Sequence, residues 1–308
     1  MGPTRTAGLS PALVFQSLFR GELARQVEYS YNDEEESFTT MVPLKSDLLP
    51  RVIELAKAIP FAGDWAWAVE RFSSAIGPDA FLFRLDWRHN EPTAVTLYCR
   101  FPSEPDPAQF QEAIGYARPF RWNGPDPACV AASLGVAGPR GIAFRATDKG
   151  HLRTAVYFRS EQHAGASWTV RLTELLAACQ YRQELASTIE GHLKELYRPG
   201  PIGVVGVDDG EGGVPRALKF DPSNVPTNVA LALLARVGVS ASRIEALRRI
   251  AIGLRAESVT YAGVQYGQEG FSGWRLYFAC EPAYARAPGQ VAGGSQRNLR
   301  PVRRLPHY

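Results

Sequence analysis

Residues Leu152–Ser160 read L-R-T-A-V-Y-F-R-S. Successive side chains of an extended chain point to opposite faces, so Arg153, Ala155, Tyr157 and Arg159 share one face and Thr154, Val156 and Phe158 the other. The second face suits contact with helices. The first carries two guanidiniums with a phenol between them and is not made for a core, so any fold must give this strand one apolar and one cationic neighbourhood.

The same design recurs. Thr93–Phe101 sets Thr96, Tyr98 and Arg100 against Val95, Leu97, Cys99 and Phe101. Gly273–Glu281 sets Arg275, Tyr277, Ala279 and Glu281 against Trp274, Leu276, Phe278 and Cys280. A shorter copy, Arg216–Asp221, sets Ala217, Lys219 and Asp221 against Leu218 and Phe220.

Read in order, the chain predicts five units, each a β-hairpin flanked by helices. Hairpins are expected at Gln26–Tyr31 with Ser37–Leu44, Ala80–Arg88 with Thr93–Phe101, Gly141–Thr147 with Leu152–Ser160, Ile202–Asp208 with Val214–Asp221, and Glu257–Tyr266 with Ser272–Cys280. Helices are expected over Ser10–Arg20, Leu48–Ile59, Asp64–Ala75, Pro107–Ala117, Pro127–Leu134, Thr169–Gln180, Gln183–Tyr197, Val225–Val237 and Arg243–Leu254. About ten antiparallel strands with one apolar face curl and close, leaving the other face as a lumen. The expected fold class is therefore α+β: a ten-stranded antiparallel barrel of five αββα repeats with the helices outside. Residues 10–282 form this one domain, and 283–308 form a basic tail rich in Gly and Pro that is expected to be solvated or to lean over the barrel mouth.

Composition narrows the function. The 308 residues are 45% hydrophobic and 21% charged with a net charge of +3, an ordinary globular balance and a weak overall field, which argues against nucleic acid as a partner. Cys99, Cys129, Cys179 and Cys280 form no C-x-x-C pair, as expected of reduced thiols in the cytoplasm. No signal peptide and no membrane-spanning stretch are expected. The histidines lack zinc-ligand spacing, so no protein metal site is expected. Asp208-Asp209 reads as turn chemistry, and the glycines of 200–213 open no helix, so they are no dinucleotide loop.

Several Arg and Lys with interleaved Tyr hydroxyls inside a wide barrel make an anion site, and guanidiniums suit a phosphate or diphosphate because they bind it bidentately. The candidate ligands are Arg100, Arg153, Arg159, Lys219 and Arg275, with Tyr98, Tyr157 and Tyr277 as hydrogen-bond donors. An electron-rich ring can also shield a carbocation through its face. Tyrosines around a diphosphate therefore suggest ionisation of an allylic ester.

At this point the sequence resembles a known family, the aromatic prenyltransferases of the ABBA or PT-barrel type, and most closely the small cyanobactin-type peptide prenyltransferases. The resemblance spans residues 10 to 281. It is carried by Gln26-Val27-Glu28-Tyr29-Ser30, Leu85-Asp86-Trp87-Arg88, Thr260-Tyr261-Ala262-Gly263-Val264 and Trp274-Arg275-Leu276-Tyr277-Phe278. It implies a dimethylallyl diphosphate donor, accompanied by Mg2+ carried on the diphosphate, with Tyr261 in the prenyl cage and Glu28 as the base that takes the acceptor's proton. It also implies a peptide acceptor, in the maturation of a ribosomal peptide natural product. Phe38-Thr39-Thr40-Met41-Val42 departs from the pattern by lacking an arginine, which leaves the diphosphate site to be completed by Arg84 or Arg145. Two other readings stay open: a prenyltransferase for small phenols or indoles, and a non-catalytic barrel that binds an anionic ligand.

Overall fold

The computed structural model describes residues 27–31, 36–43, 50, 53–54, 56–57, 59–76, 80–88, 91–101, 107–163, 166–194 and 201–280. The helix expected over Ser10–Arg20 and the tail 283–308 lie outside these residues, and the helix expected over Leu48–Ile59 lies only partly inside them.

The first hairpin is β1 (Val27–Tyr31) and β2 (Glu36–Pro43), and helix α1 (Gly63–Ile76) leads to β3 (Ala80–Arg88) and β4 (Glu91–Arg100). Helices α2 (Pro107–Tyr116) and α3 (Pro127–Leu134) precede β5 (Gly141–Thr147) and β6 (Leu152–His163). Helices α4 (Ala166–Ala178) and α5 (Leu185–Leu193) precede β7 (Pro201–Asp208), which is followed by a small pair, β8 (Gly210–Glu211) and β9 (Val214–Pro215), and by β10 (Leu218–Asp221) and β11 (Ser223–Pro226). Helices α6 (Thr227–Arg236) and α7 (Ala241–Gly253) lead into β12 (Ser258–Gly267) and β13 (Gly270–Cys280).

Local chemistry sets these boundaries. The Asp126 side chain accepts from the Ala128 N–H at the start of α3, Pro127 takes the first helical position, and Gly135 at φ 67° ends the helix in the left-handed conformation that glycine adopts without cost. Ser240 caps α7 by accepting from the Arg243 N–H.

Pairing is antiparallel throughout, in the order β10, β7, β6, β5, β4, β3, β2, β1, β13, β12, β11, and β10 also pairs with β12. That last ladder, Leu218 to Tyr266 through Phe220 to Val264, returns the sheet on itself and makes a barrel. Among the described residues the sheet holds eleven strands, where ten were expected. The difference lies in the fourth hairpin, whose second arm was expected as one strand over Val214–Asp221. Within Val214–Asp221 the strand is broken into β9, which pairs only with β8, and β10, because Pro215 has no N–H for a ladder; the eleventh strand of the sheet is β11, which follows Pro222 and takes in Val225 and Pro226, where a helix was expected to begin.

Alternation then sorts the side chains as expected. Phe83, Leu85, Leu97, Phe144, Val156, Phe158, Val205 and Leu218 are fully or almost fully buried on the outer face. They pack against helices that contribute Trp65, Phe72 and Phe110. The Trp65 indole donates to the Phe144 carbonyl at 2.8 Å, and the Phe72 and Phe120 rings stand 4.8 and 5.1 Å from the Phe144 ring. This sleeve between sheet and helices is the core, so the inner face is left for polar groups.

Candidate active site

The barrel encloses a cavity of about 480 Å³. Its wall includes the cations Arg84, Arg88, Arg145, Lys149, Arg153, Lys219 and Arg275, against the carboxylates Asp148, Asp208 and Asp221. The surplus is positive, as an anion site requires.

Backbone register explains why these residues meet. Thr39 pairs with Arg84, Arg84 with Thr96, Thr96 with Arg145 and Arg145 with Arg153, so one row of the sheet brings together three arginines from β3, β5 and β6. One step along β3 from that row, on the same face, sits Asp86, with no solvent exposure. Arg145 Nη1 lies 2.7 Å from its Oδ2, Arg84 Nε 3.2 Å from its Oδ1, and Arg275 Nη1, from β13, 3.4 Å from the same Oδ1. Three guanidiniums share one buried carboxylate. Burial lowers the Arg275 pKa, Arg84 and Arg145 lower it further, and Asp86 opposes them.

Lys219 Nζ sits 2.5 Å from Asp208 Oδ1 across the β7–β10 ladder. Arg153 differs from the rest: it makes no ion pair among the described residues, and its buried Nε has no hydrogen-bond partner. Its pKa is lowered by burial and then by its neighbours Arg216 and Arg145. It has the most to gain from an anion.

The tyrosines come in pairs. Tyr98 and Tyr157 stand edge to face with ring centres 5.1 Å apart, and Tyr261 and Tyr277 likewise at 5.9 Å. Glycines make room for the first pair, since a Cβ on Gly141 would fall 2.3 Å from the Tyr98 hydroxyl and one on Gly206 2.8 Å from the Tyr157 ring. Arg84 Nη1 donates to the Tyr277 hydroxyl at 3.3 Å. Burial raises the pKa of all three of Tyr98, Tyr157 and Tyr277, so these phenols stay protonated and can donate hydrogen bonds.

Of the ligands expected from sequence, Arg153, Lys219, Arg275, Tyr157 and Tyr277 line the cavity. Tyr98 and Tyr261 are not on its wall but each packs edge to face against one of the lining tyrosines, and Arg100 and Arg159 are not on its wall either. Arg84 and Arg145, expected only as substitutes, are central to it. The backbone of Glu28 pairs with Ala279 on β13 and Thr39 on β2, and Ser30, two residues on, pairs with Tyr277. Sequence reading missed Asp86 and Asp208 as site residues. Both were legible as polar positions at strand ends, but Asp208 was taken for a turn and Asp86 for part of a string.

No family model matches the sequence and no curated protein matches it. Solved structures do. 5-Dimethylallyltryptophan synthase from Streptomyces coelicolor matches with a TM-score of 0.57 at 16% identity over 85% of this chain and 81% of that one. 6-Dimethylallyltryptophan synthase from Micromonospora olivasterospora, in complex with DMASPP and Trp, matches with 0.55 at 15% over 85% and 82%. The NotF prenyltransferase in complex with brevianamide F and DMSPP matches with 0.55 at 12% over 82% and 79%. The chain has the fold of these enzymes. What it shares with them in sequence is too little to carry more than the fold, so the chemistry must be argued from its own cavity.

Among the described residues no group of three His, Cys, Asp or Glu converges on a point where a metal could sit. Among the described residues Asp208 is engaged by Lys219 and Asp86 by arginines. No described helix is long and apolar enough to cross a membrane.

Proposed function

We propose that this protein is a prenyltransferase of the PT-barrel type, which ionises dimethylallyl diphosphate inside the barrel and transfers the dimethylallyl group to an aromatic, electron-rich acceptor. The observation that carries the reading is the cationic cavity wall with Arg153 unpaired upon it, inside a barrel shared with dimethylallyl transferases. The closed ring, counted without the short β11, then corresponds to five hairpins and ten strands. We place the enzyme in the cytoplasm, in keeping with the free thiols of Cys99, Cys129 and Cys179.

In this reading Arg153, Arg145, Arg84 and Lys219 hold the diphosphate, with the hydroxyls of Tyr157 and Tyr277 as neutral donors. Arg275 positions Asp86 and, through it, the other guanidiniums. Arg100 and Arg159 have no assigned part, because the cavity does not reach them. The faces of Tyr157 and Tyr277 shield the allylic cation, Tyr98 and Tyr261 fix those two rings by packing against them edge to face, and Glu28 takes the proton that the acceptor loses. Magnesium would be carried on the oxygens of the diphosphate, and no step is routed through it.

A peptide acceptor is the narrower form of the proposal and rests on the strings that resemble peptide prenyltransferases. A small aromatic acceptor is supported by neighbours solved with Trp and with brevianamide F. Mass spectrometry of the protein incubated with dimethylallyl diphosphate, magnesium, peptides, and small phenols and indoles tests both. One dimethylallyl unit gained on a peptide supports the narrower form, and the same gain on small aromatics alone replaces it. Diphosphate binding with no transfer to any acceptor makes the chain an anion-binding barrel.

A further inference from the structure

Asp221 lies on β10 with its carboxylate on the cavity wall, where it makes neither hydrogen bond nor ion pair among the described residues. Its place is made by Gly263 on β12, where a Cβ would stand 2.5 Å from Asp221 Oδ1. The groups that act on it are Lys219 on its own strand, Asp208 on β7, Arg84 on β3 and Arg275 on β13. Tyr157 on β6 and Tyr277 on β13 feel its charge in turn, and β12 adds the neutral Gln265 to the same wall. Burial raises its pKa to about 6; Asp208 adds to the shift, and Lys219, Arg84 and Arg275 oppose it.

Four of the residues around Asp221, namely Lys219, Arg84, Tyr157 and Tyr277, hold the diphosphate in the proposed function, on which this inference rests. A multiply charged anion placed among them meets an unpaired carboxylate in a desolvated space. Two like charges in such a space disfavour each other strongly, and the group that can take a proton does so.

We propose that Asp221 takes up a proton when the donor diphosphate binds, and that the resulting carboxylic acid hydrogen-bonds the diphosphate and protonates its leaving oxygen as the allylic C–O bond breaks. The electron pair of that bond stays on the diphosphate oxygen, which receives the Asp221 proton. Diphosphate departs protonated, and Asp221 is left ionised until the next donor binds and it draws a proton from water. The proton lost by the acceptor is separate and goes to the base. The backbone of Glu28 lies three strands from that of Asp221, roughly 14 Å around the ring at the usual spacing between strands.

The sign of the pH dependence follows. Above about pH 6 the empty site holds Asp221 ionised, so binding must draw a proton from solvent and weakens as pH rises, until the pH passes the higher pKa of the bound state.

The test is calorimetric titration of the full chain, wild type and Asp221→Asn, with inorganic pyrophosphate in buffers of different ionisation enthalpy. The wild type should take up about one proton more per pyrophosphate than the variant near pH 7, the ligand's own protons cancelling in the difference. The ratio of wild-type to variant affinity should fall about tenfold for each pH unit above 6. Equal proton counts in the two proteins overturn the role of Asp221 and leave the proposed function standing. No pyrophosphate binding by the wild type overturns both. If the variant does not fold, the infrared difference spectrum of the wild type decides: a protonated-carboxyl band that appears with pyrophosphate is expected, and its absence overturns the proposal.

Discussion

Asp86 and Asp221 are the same residue type on the inner face of the same barrel, and their surroundings are opposite. Asp86 has three guanidiniums from three strands within 3.4 Å and no exposure to solvent. Asp221, on the far side of β13 and β12, has a cationic neighbour on its own strand and no ion pair among the described residues. Along one wall the barrel has a fixed framework, one carboxylate holding three guanidiniums in place with a positive surplus. Along the other it has unspent charge, in Arg153 and Asp221 both. A buried carboxylate that satisfies three arginines makes structure, whereas a carboxylate and a guanidinium left apart in one cavity are available to a ligand.

The largest effect should come from the framework. Asp86→Ala leaves three guanidiniums packed together without their counter-charge, and should cost about 3–5 kcal/mol of stability, read by denaturant unfolding. A loss under 1 kcal/mol would mean that the three arginines find water instead, and the contrast would collapse.

On the other wall, Arg153→Met should leave stability unchanged or slightly raised, because it removes a half-buried cation that makes no ion pair among the described residues. Pyrophosphate affinity should fall by about 2 kcal/mol, some thirtyfold, the worth of hydrogen bonds to a charged group. A variant that loses stability and keeps its affinity would reassign Arg153 to the framework.

Arg275→Met tests the clamp more gently. Asp86 keeps Arg84 and Arg145, so the loss should be about 1–2 kcal/mol, measurable by thermal unfolding.

The smallest effect is expected at Asp209, next to the open wall, whose pKa is raised to about 6, first by burial. A folded-state value above the unfolded one means that the native chain binds the extra proton, so this group makes stability fall as pH rises from about 4 to 6. Asp209→Asn should flatten that slope in unfolding curves across the same window. An unchanged slope would place the group in water.

Much of this was legible in the sequence. The strands Ala80–Arg88 and Gly141–Thr147 and the helix Pro127–Leu134 begin and end where propensity and caps put them. The two faces of β4, β6, β10 and β13 sort as alternation requires. The second arm of the fourth hairpin, expected as one strand over Val214–Asp221, is broken after Pro215, and the short β11 occupies residues where the next helix was expected to begin, because a proline removes an N–H from a ladder. Arg153, Lys219, Arg275, Tyr157 and Tyr277, chosen by their phase alone, line the cavity. Arg100 and Arg159 have the same phase and miss the cavity, since phase fixes a face and leaves the height along the barrel undetermined.

The sequence by itself determined the inside and the outside of this protein, because the period of two is a property of each strand and needs no partner. Only the tertiary structure decided which inner residues meet. Arg275 and Asp86 are 189 positions apart, and their contact depends on the register of several ladders in succession and on the closure of β10 onto β12. Register is a sum of choices around the whole ring, and no local pattern records that sum.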